Sequence, residues 1–173
     1  MTYVEGYLWD APEAKKAVLK AFDAAHAAGR LVSITLSDPF CVDRYRDEFR
    51  DLIRNKVDIL FGNEAEIKSL YQVETFEEAM EATRKEAKIA ALTRSEKGSI
   101  VVKGARDLTR CRPRRSAKVV DTTGAGDLYA AGFLFGYTHG KPLAECARLG
   151  GLAAAEIISH VGARPEQALR GLI

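Results

Sequence analysis

The sequence contains few cysteines and no spacing that would make them a metal site or a disulfide framework. Cys41, Cys111 and Cys146 are far apart and odd in number, as expected for reduced thiols inside a cell. No apolar run is long enough to span a membrane, and no basic segment followed by an apolar stretch opens the chain. These features predict a soluble protein located in the cytoplasm.

The sequence also lacks a strong excess of charge of either sign. With 26 Lys and Arg against 24 Asp and Glu, the net charge of +2 gives no global signal for a nucleic-acid or membrane partner. A local basic cluster surrounds Pro113, and no aromatic residues alternate with it. This cluster is more typical of a solvated loop than of a nucleic-acid interface, so we expect neither nucleic acid nor membrane as partner. The cluster consists of Arg110, Arg112, Arg114 and Arg115.

Apolar strand-like runs alternate with helix-like segments along the chain. This alternation predicts an α/β fold with a doubly wound, mostly parallel sheet and helices on both faces. The strands are predicted at residues 3–9, 31–36, 57–61, 88–93 and 117–121, with 99–103 pairing with 108–111. The helices are predicted from Asp10, as the N-terminal cap, to Gly29, and at about 45–53, 63–71, 75–87, 124–137 and 143–160.

The helix predicted at 124–137 is apolar on nearly every side, so it is expected to be buried all round. Phe133 and Phe135 are accordingly predicted in the core. Gly132 and Gly136 are about one turn apart and would let another element approach closely.

The stretch from Asp121 to Asp127 (DTTGAGD) is the most informative segment for function. Its two glycines let the backbone turn sharply before a helix, whose first N–H groups are free to bind an anion. Asp127 then places a carboxylate beside that anion site, as base-assisted phosphoryl transfer requires. The alternative is that Thr122 or Thr123 caps the helix and Asp127 only complements the helix dipole.

A second polar pair follows a predicted strand. Asn63 and Glu66 are three residues apart on one helix face, where they could together hold a hydrated metal ion. The same spacing is also that of a capping box, which we favour when the pair is considered alone. The two roles are compatible for Glu66.

Three motifs together resemble the ribokinase-type (pfkB) family of carbohydrate and nucleoside kinases. They are VDILFGNEAE, TRSEKGS and DTTGAGDLYAAGFLFG, in this order. Within the family the chain is most similar to adenosine kinases, through residues 37–40, 57–64 (VDILFGNE), 141–146 and 162–165 (GARP). The resemblance implies a ribokinase-like fold, of which residues 1–173 form the C-terminal, ATP-binding and catalytic portion.

The resemblance also implies roles for individual residues. Asp127 matches the catalytic base, and Gly124, Ala125 and Gly126 match the anion hole for the γ-phosphoryl group. Asn63 and Glu66 match a motif associated with phosphate and with Mg²⁺ held through water. Residues along the ATP phosphates and ribose are implied at Thr93, Ser95 and Gly98, where the family often has Gly in place of Ser95. Asp121 and Thr123 match positions that bind a monovalent cation such as K⁺ in some members.

The implied reaction is ATP-dependent phosphoryl transfer to a hydroxymethyl group of a nucleoside or sugar, most similar to that of adenosine kinases. The alternatives are a sugar kinase such as ribokinase or fructokinase, and a non-catalytic nucleotide-binding or regulatory module. The family's N-terminal half, with its lid and most acceptor contacts, has no counterpart in this sequence. We therefore expect this chain alone to be weakly active or inactive and to self-associate through an exposed sheet edge.

Overall fold

The structure, a computed structural model, describes residues 1–104, 107–112 and 118–172. These residues form two compact units. The first unit comprises Met1–Leu92 and Val102–Asp107, and the second comprises Thr93–Val101 and Leu108–Ile173. In the described part of the chain, no helix is both long and apolar enough to cross a membrane.

Six strands form one sheet in the order in which they occur along the chain. They are β1 (Thr2–Glu5), β2 (Val32–Thr35), β3 (Ile59–Asn63), β4 (Ile89–Thr93), β5 (Ser99–Lys103) and β6 (Asp107–Cys111). The helices are α1 (Pro12–Ala27), α2 (Pro39–Asn55), α3 (Glu64–Tyr71), α4 (Phe76–Glu86), α5 (Ala125–Thr138) and α6 (Leu143–Ile157). The prediction of an α/β fold is confirmed.

The first three strands are parallel. Thr2 pairs with Val32 in β1 and β2, and Ser33 pairs with Ile59 in β2 and β3. Val32 and Ile34 are fully buried, which explains why β2 reads as a nearly continuous apolar run. Because the strands are parallel, their carboxyl ends meet at one edge of the sheet. This edge places Asn63, the last residue of β3, where polar side chains can serve a ligand.

The start of the chain differs from the prediction in two places. The strand predicted at 3–9 ends at Glu5, and a short 3-10 helix follows from Gly6 to Asp10. A Cβ at Gly6 would lie only 2.8 Å from the Thr35 carbonyl oxygen, so the chain turns there by close backbone packing. Asp10 does not cap α1, whose N-cap is Ala11; it accepts two hydrogen bonds from Arg44 instead.

In the second unit, α5 packs against α6 through glycine, as the sequence predicted. A Cβ at Gly132 would lie 2.6 Å from the Leu149 carbonyl oxygen, and one at Gly136 would lie 3.1 Å from the Cys146 Cα. The expectation that α5 is buried on all sides is wrong for this chain. Phe133 is fully buried, but Phe135 is 42% exposed.

The predicted strand at 117–121 is also wrong for residues 118–121, which have no regular structure; Ala117 lies outside the described residues. The Val120 N–H donates to the Ile158 carbonyl at 2.8 Å, at the end of α6, and not to a strand. Val119 and Val120 are 62% and 42% exposed, so β-branched composition alone misled the prediction. In the basic cluster around Pro113, Arg114 and Arg115 lie outside the described residues.

Asp58 ties three elements of the first unit together at the end of the sheet opposite Asn63. Its carboxylate accepts hydrogen bonds from the Val32 N–H at 2.8 Å and from Lys88 Nζ at 2.8 Å, and it contacts His26 Nε2 at 3.1 Å. Burial opposes ionisation, but the hydrogen bonds outweigh burial and lower the pKa of Asp58 below its ordinary value. Asp58 therefore stabilises the fold in its charged form.

We expect Asp58→Asn to lower the free energy of unfolding at pH 7 by about 1–3 kcal/mol, because a charged acceptor is lost. A lowered pKa contributes stability that is present above the unfolded-state pKa and is lost as the pH falls through the folded-state pKa. The difference between variant and wild type should therefore shrink below about pH 4. Urea unfolding at several pH values measures this, with exposed Asp51→Asn as control. A difference that stays constant with pH would contradict the assignment.

Candidate active site

The turn that leads into α5 is fixed by the Asp121 carboxylate. One oxygen accepts the Thr123 N–H at 2.9 Å and the Thr123 hydroxyl at 2.7 Å. The other oxygen accepts the Gly162 N–H at 3.0 Å. These hydrogen bonds, with that from Gly162 the largest cause, lower the pKa of Asp121 to about 2. Asp121 is thus anionic at neutral pH and holds the turn to a distant segment of the chain.

Gly124, the residue just before α5, has a backbone conformation that other residues rarely adopt. Its φ of +77° is left-handed, and a Cβ there would lie 3.2 Å from the Ala163 Cβ. Gly124 is the N-cap, and no side chain caps the helix, so capping by Thr122 or Thr123 is not observed. The Ala125 N–H donates to the Thr122 carbonyl at 3.1 Å and closes the turn.

The first turn of α5 is open beside its polar groups. Asp127 lies in this first turn and is exposed, and its side chain makes no hydrogen bond to another residue that the structure describes. A Cβ at Gly126 would meet no atom within 4 Å. The first N–H groups of a helix have no acceptor within it. The turn therefore offers free N–H donors and a free carboxylate side by side.

The segment from Thr93 to Gly98 also belongs to the second unit. Thr93 ends β4, and the Arg94 N–H donates to the Gly98 carbonyl at 2.8 Å, which closes a tight turn. Ser95 has a φ of +49°, in the left-handed region that favours glycine. Serine thus occupies a position whose backbone suits the Gly that the resemblance led us to expect.

A buried hydrogen bond joins this segment to α5. The Tyr129 hydroxyl donates to Ser99 Oγ at 2.8 Å, and Tyr129 is only 4% exposed. Burial raises the pKa of Tyr129 well above its ordinary value, so the phenol keeps its proton. Ser99 follows Gly98 directly, and Tyr129 lies two residues after Asp127. This hydrogen bond therefore links the segment from Thr93 to Gly98 with the start of α5.

Asn63 and Glu66 form a complete capping box in the first unit. The Asn63 side-chain oxygen accepts the Glu66 N–H at 2.9 Å, and Glu66 Oε2 accepts the Asn63 N–H at 2.8 Å. Asn63 Nδ2 also donates to Glu66 Oε1 at 2.6 Å. The capping interpretation is therefore confirmed, and both carboxylate oxygens already accept a hydrogen bond.

The Glu66 carboxylate is nevertheless unusual for a cap. It is only 5% exposed, and burial raises its pKa to about 7; the nearby charges of Asp38 and Glu5 act in the same direction, while the Asn63 N–H opposes them. A cation near Glu66 would favour the charged form. Within the described ranges, no group of three or more His, Cys, Asp or Glu residues could hold a metal ion directly.

Sequence reasoning missed several residues that shape this region. Gly162 and Ala163 hold the turn after Asp121, yet the sequence signalled them only as part of the GARP segment. Ser99 and Tyr129 lie within the quoted motifs, but no signal in the sequence predicted their contact, because it joins residues thirty positions apart. The sequence therefore identified the turn but not what holds it.

Comparison with known proteins then identifies the family. Residues 1–168 match the pfkB family of carbohydrate kinases. The chain belongs to this family. This confirms the resemblance drawn from the motifs. The ribokinase-like fold that the resemblance implied is confirmed by the solved kinase structures described next.

Solved structures similar to this pfkB chain include an adenosine kinase from Sinorhizobium meliloti and a probable sugar kinase from Rhizobium etli. Each is 52% identical, with a TM-score of 0.96 over 99% of this chain and 52% of the other. A cytidine kinase from Thermococcus kodakarensis is 38% identical over 125 residues, 68% of this chain and 45% of that protein. The chain thus spans about half the length of these relatives.

Proposed function

We propose that this chain carries the phosphate-binding and catalytic portion of an ATP-dependent kinase that phosphorylates a hydroxymethyl group. The observation that carries the proposal is the first turn of α5, where the exposed Asp127 carboxylate, unpaired among the described residues, adjoins free backbone N–H groups. Phosphoryl transfer needs little covalent chemistry from the protein, so positioning and electrostatics supply most of the acceleration. This turn offers both.

In this mechanism the Asp127 carboxylate accepts the proton of the acceptor hydroxyl. The hydroxyl oxygen then attacks the γ-phosphorus of ATP in line, and the bond to the β–γ bridging oxygen breaks to release ADP. Gly124, Ala125 and Gly126 form the anion hole. Since the Ala125 N–H already donates to Thr122, we assign the donors to the amides of Gly126 and Asp127.

For ATP, we propose that the turn formed by Thr93, Ser95 and Gly98 lies along the phosphates and ribose. For Mg²⁺, contact with Asn63 and Glu66 through water is the suitable arrangement, because both Glu66 carboxylate oxygens already accept hydrogen bonds from Asn63. Magnesium, when bound to ATP, neutralises phosphate charge. We propose that Asn63 and Glu66 hold its waters.

The monovalent cation is a finer proposal. Asp121 is anionic at neutral pH, since its pKa lies at about 2, and an anionic oxygen suits K⁺. Thr123 lies beside it and donates to it through both its N–H and its hydroxyl. We propose that Asp121, together with Thr123, contributes to such a site.

For the acceptor, we propose a nucleoside, with adenosine as the first candidate. Support comes from the 52% identity to an adenosine kinase and from the resemblance of the GARP segment to adenosine kinases. The equal identity to a probable sugar kinase keeps a sugar acceptor as the second candidate. We further propose that the chain is one portion of a single ribokinase-like domain, because it spans about half of its relatives.

Calorimetric titration with MgATP, with and without an acceptor, tests the function. A kinase should bind ATP with a Kd that changes when adenosine is present, since transfer requires both ligands in one site. Parallel titrations with cytidine and fructose rank the acceptor classes. A Kd for ATP that no acceptor changes would support a non-catalytic nucleotide-binding module. A chain that binds no ATP at all would overturn both the kinase and the nucleotide-binding module.

Self-association is proposed for the outer edge of β1, which is the first strand in the sheet order. Tyr3 on this strand is 36% exposed, and an open edge presents unpaired backbone groups to a second chain. Light scattering coupled to size exclusion tests this. A species of monomer mass at all concentrations would contradict it.

A further inference from the structure

Glu156, near the end of α6, is a buried carboxylate that organises the chain after that helix. Only 9% of the residue is exposed. Its Oε1 accepts the N–H groups of Glu166 at 3.0 Å and Gln167 at 3.2 Å, and it contacts His160 Nε2 at 3.3 Å. One oxygen atom therefore fastens both ends of residues 159–167, which we call the terminal loop.

The other oxygen of Glu156 shows that packing alone does not explain this residue. Oε2 is buried and has no hydrogen-bond partner among the residues that the structure describes. Burying a carboxylate costs free energy that an apolar side chain at the same place would avoid. The hydrogen bonds to Oε1 offset this cost of burial, and their structural effect is to hold the terminal loop in place.

The terminal loop in turn supports the turn before α5. Gly162 donates its N–H to Asp121 Oδ2 at 3.0 Å. Ala163 lies against Gly124, where an added Cβ would come within 3.2 Å of the Ala163 Cβ. The Val120 N–H bonds to the Ile158 carbonyl immediately before the loop. Nothing in residues 118–121 is regular structure, so these contacts supply what a strand would otherwise provide.

We infer that Glu156 is a positioning residue for phosphoryl transfer: by holding the terminal loop, it keeps Asp121 and Gly124 in the conformation that presents the first amides of α5 to the phosphoryl group. This inference rests on the proposed function. Between Asp127 and Glu156 the chain runs through the rest of α5 and nearly all of α6. Glu156 therefore acts only through the contacts of Gly162 and Ala163.

Hydrogen exchange of single amides, followed by NMR, tests the tether without relying on activity. Glu156→Ala should speed exchange at Glu166 and Gln167, which lose their acceptor. It should also speed exchange at least tenfold at Gly162 and Thr123, which contact Asp121. Glu156→Gln keeps an oxygen at the Oε1 position and should leave Gly162 and Thr123 close to wild type.

Two further variants make the result decisive. Glu145→Ala removes a half-buried carboxylate that pairs with Arg148 on the same helix, and it should change none of these amides. If Glu156→Ala does not fold, Glu156→Asp replaces it, because the shorter carboxylate keeps its charge but cannot reach Glu166 and Gln167. Wild-type exchange at Gly162 and Thr123 in a folded Ala or Asp variant would overturn the inference.

Nucleotide binding supplies the second readout. The Kd for MgATP should rise about tenfold in Glu156→Ala and Glu156→Asp, and stay within about twofold of wild type in Glu156→Gln. A wild-type chain that binds no ATP overturns the proposed function, whereas the exchange data still decide the tether. Normal ATP affinity in the variants with a loosened loop would overturn the positioning role alone.

Discussion

Asp127→Asn is expected to lower turnover by about 10²–10⁴-fold, the usual contribution of a positioned general base. Asparagine has nearly the same shape but cannot accept the proton of the attacking hydroxyl. Asp127 is exposed in the first turn of α5, so its loss should cost the fold less than about 1 kcal/mol through the helix dipole. We therefore expect a variant that remains folded but has lost most of its turnover.

The same variant should leave ATP binding intact. In the proposed complex Asp127 lies beside the ATP phosphates, so removing its negative charge would relieve repulsion. The Kd for ATP should therefore stay within about threefold of wild type and shift, if at all, towards tighter binding. A coupled kinase assay measures turnover, calorimetry measures binding, and Asp51→Asn serves as an exposed-carboxylate control. Turnover near the wild-type rate would remove Asp127 from the role of base.

Gly132→Ala is expected to be the most destabilising small substitution in the second unit. The new methyl group would lie 2.6 Å from the Leu149 carbonyl oxygen and 2.9 Å from the Gly150 Cα, which are backbone atoms that cannot rotate away. The two helices must separate, at a cost of about 3 kcal/mol, the upper end of the usual range for overpacking. This cost exceeds the gain of about 1 kcal/mol in helix propensity.

Gly151→Ala is the matched control, because Gly151 lies on the partner helix α6 and a Cβ there meets no atom within 4 Å. It should stabilise the protein by about 0.5–1 kcal/mol, since alanine restricts the unfolded chain and favours the helix. Urea unfolding compares the two variants. If both changed stability by the same amount and sign, close helix packing at Gly132 would not be the reason for glycine.

The parts of the site that the sequence predicted correctly are those made by local contacts. The capping box of Asn63 and Glu66 joins residues three apart, and the sharp entry into α5 needs glycine at position 124. Such features are encoded in a few consecutive residues, because hydrogen bonding and φ preference act over short distances along the chain. Gly98, with a φ of +87°, follows the same rule.

The parts that the sequence did not predict depend on contacts between distant residues. Val119 and Val120 have the composition of a strand, yet the backbone of Val120 bonds to the end of α6. Phe135 is apolar but 42% exposed, whereas Phe133, two positions earlier in the same helix, is fully buried. A pattern of residue types indicates the secondary structure and burial that a segment favours. The neighbours that the segment meets in the folded chain decide which structure and burial it has.

The sequence by itself determined the family, the alternation of strands and helices, and the turn that aligns Asp127 with helix amides. Tertiary structure alone decided how that turn is held. Asp121 accepts a hydrogen bond from Gly162, and Gly124 lies against Ala163. Glu156 holds the terminal loop to which Gly162 and Ala163 belong. The reason is physical: a left-handed glycine can be read from its neighbours, but a hydrogen bond spanning 41 positions exists only after the chain has folded.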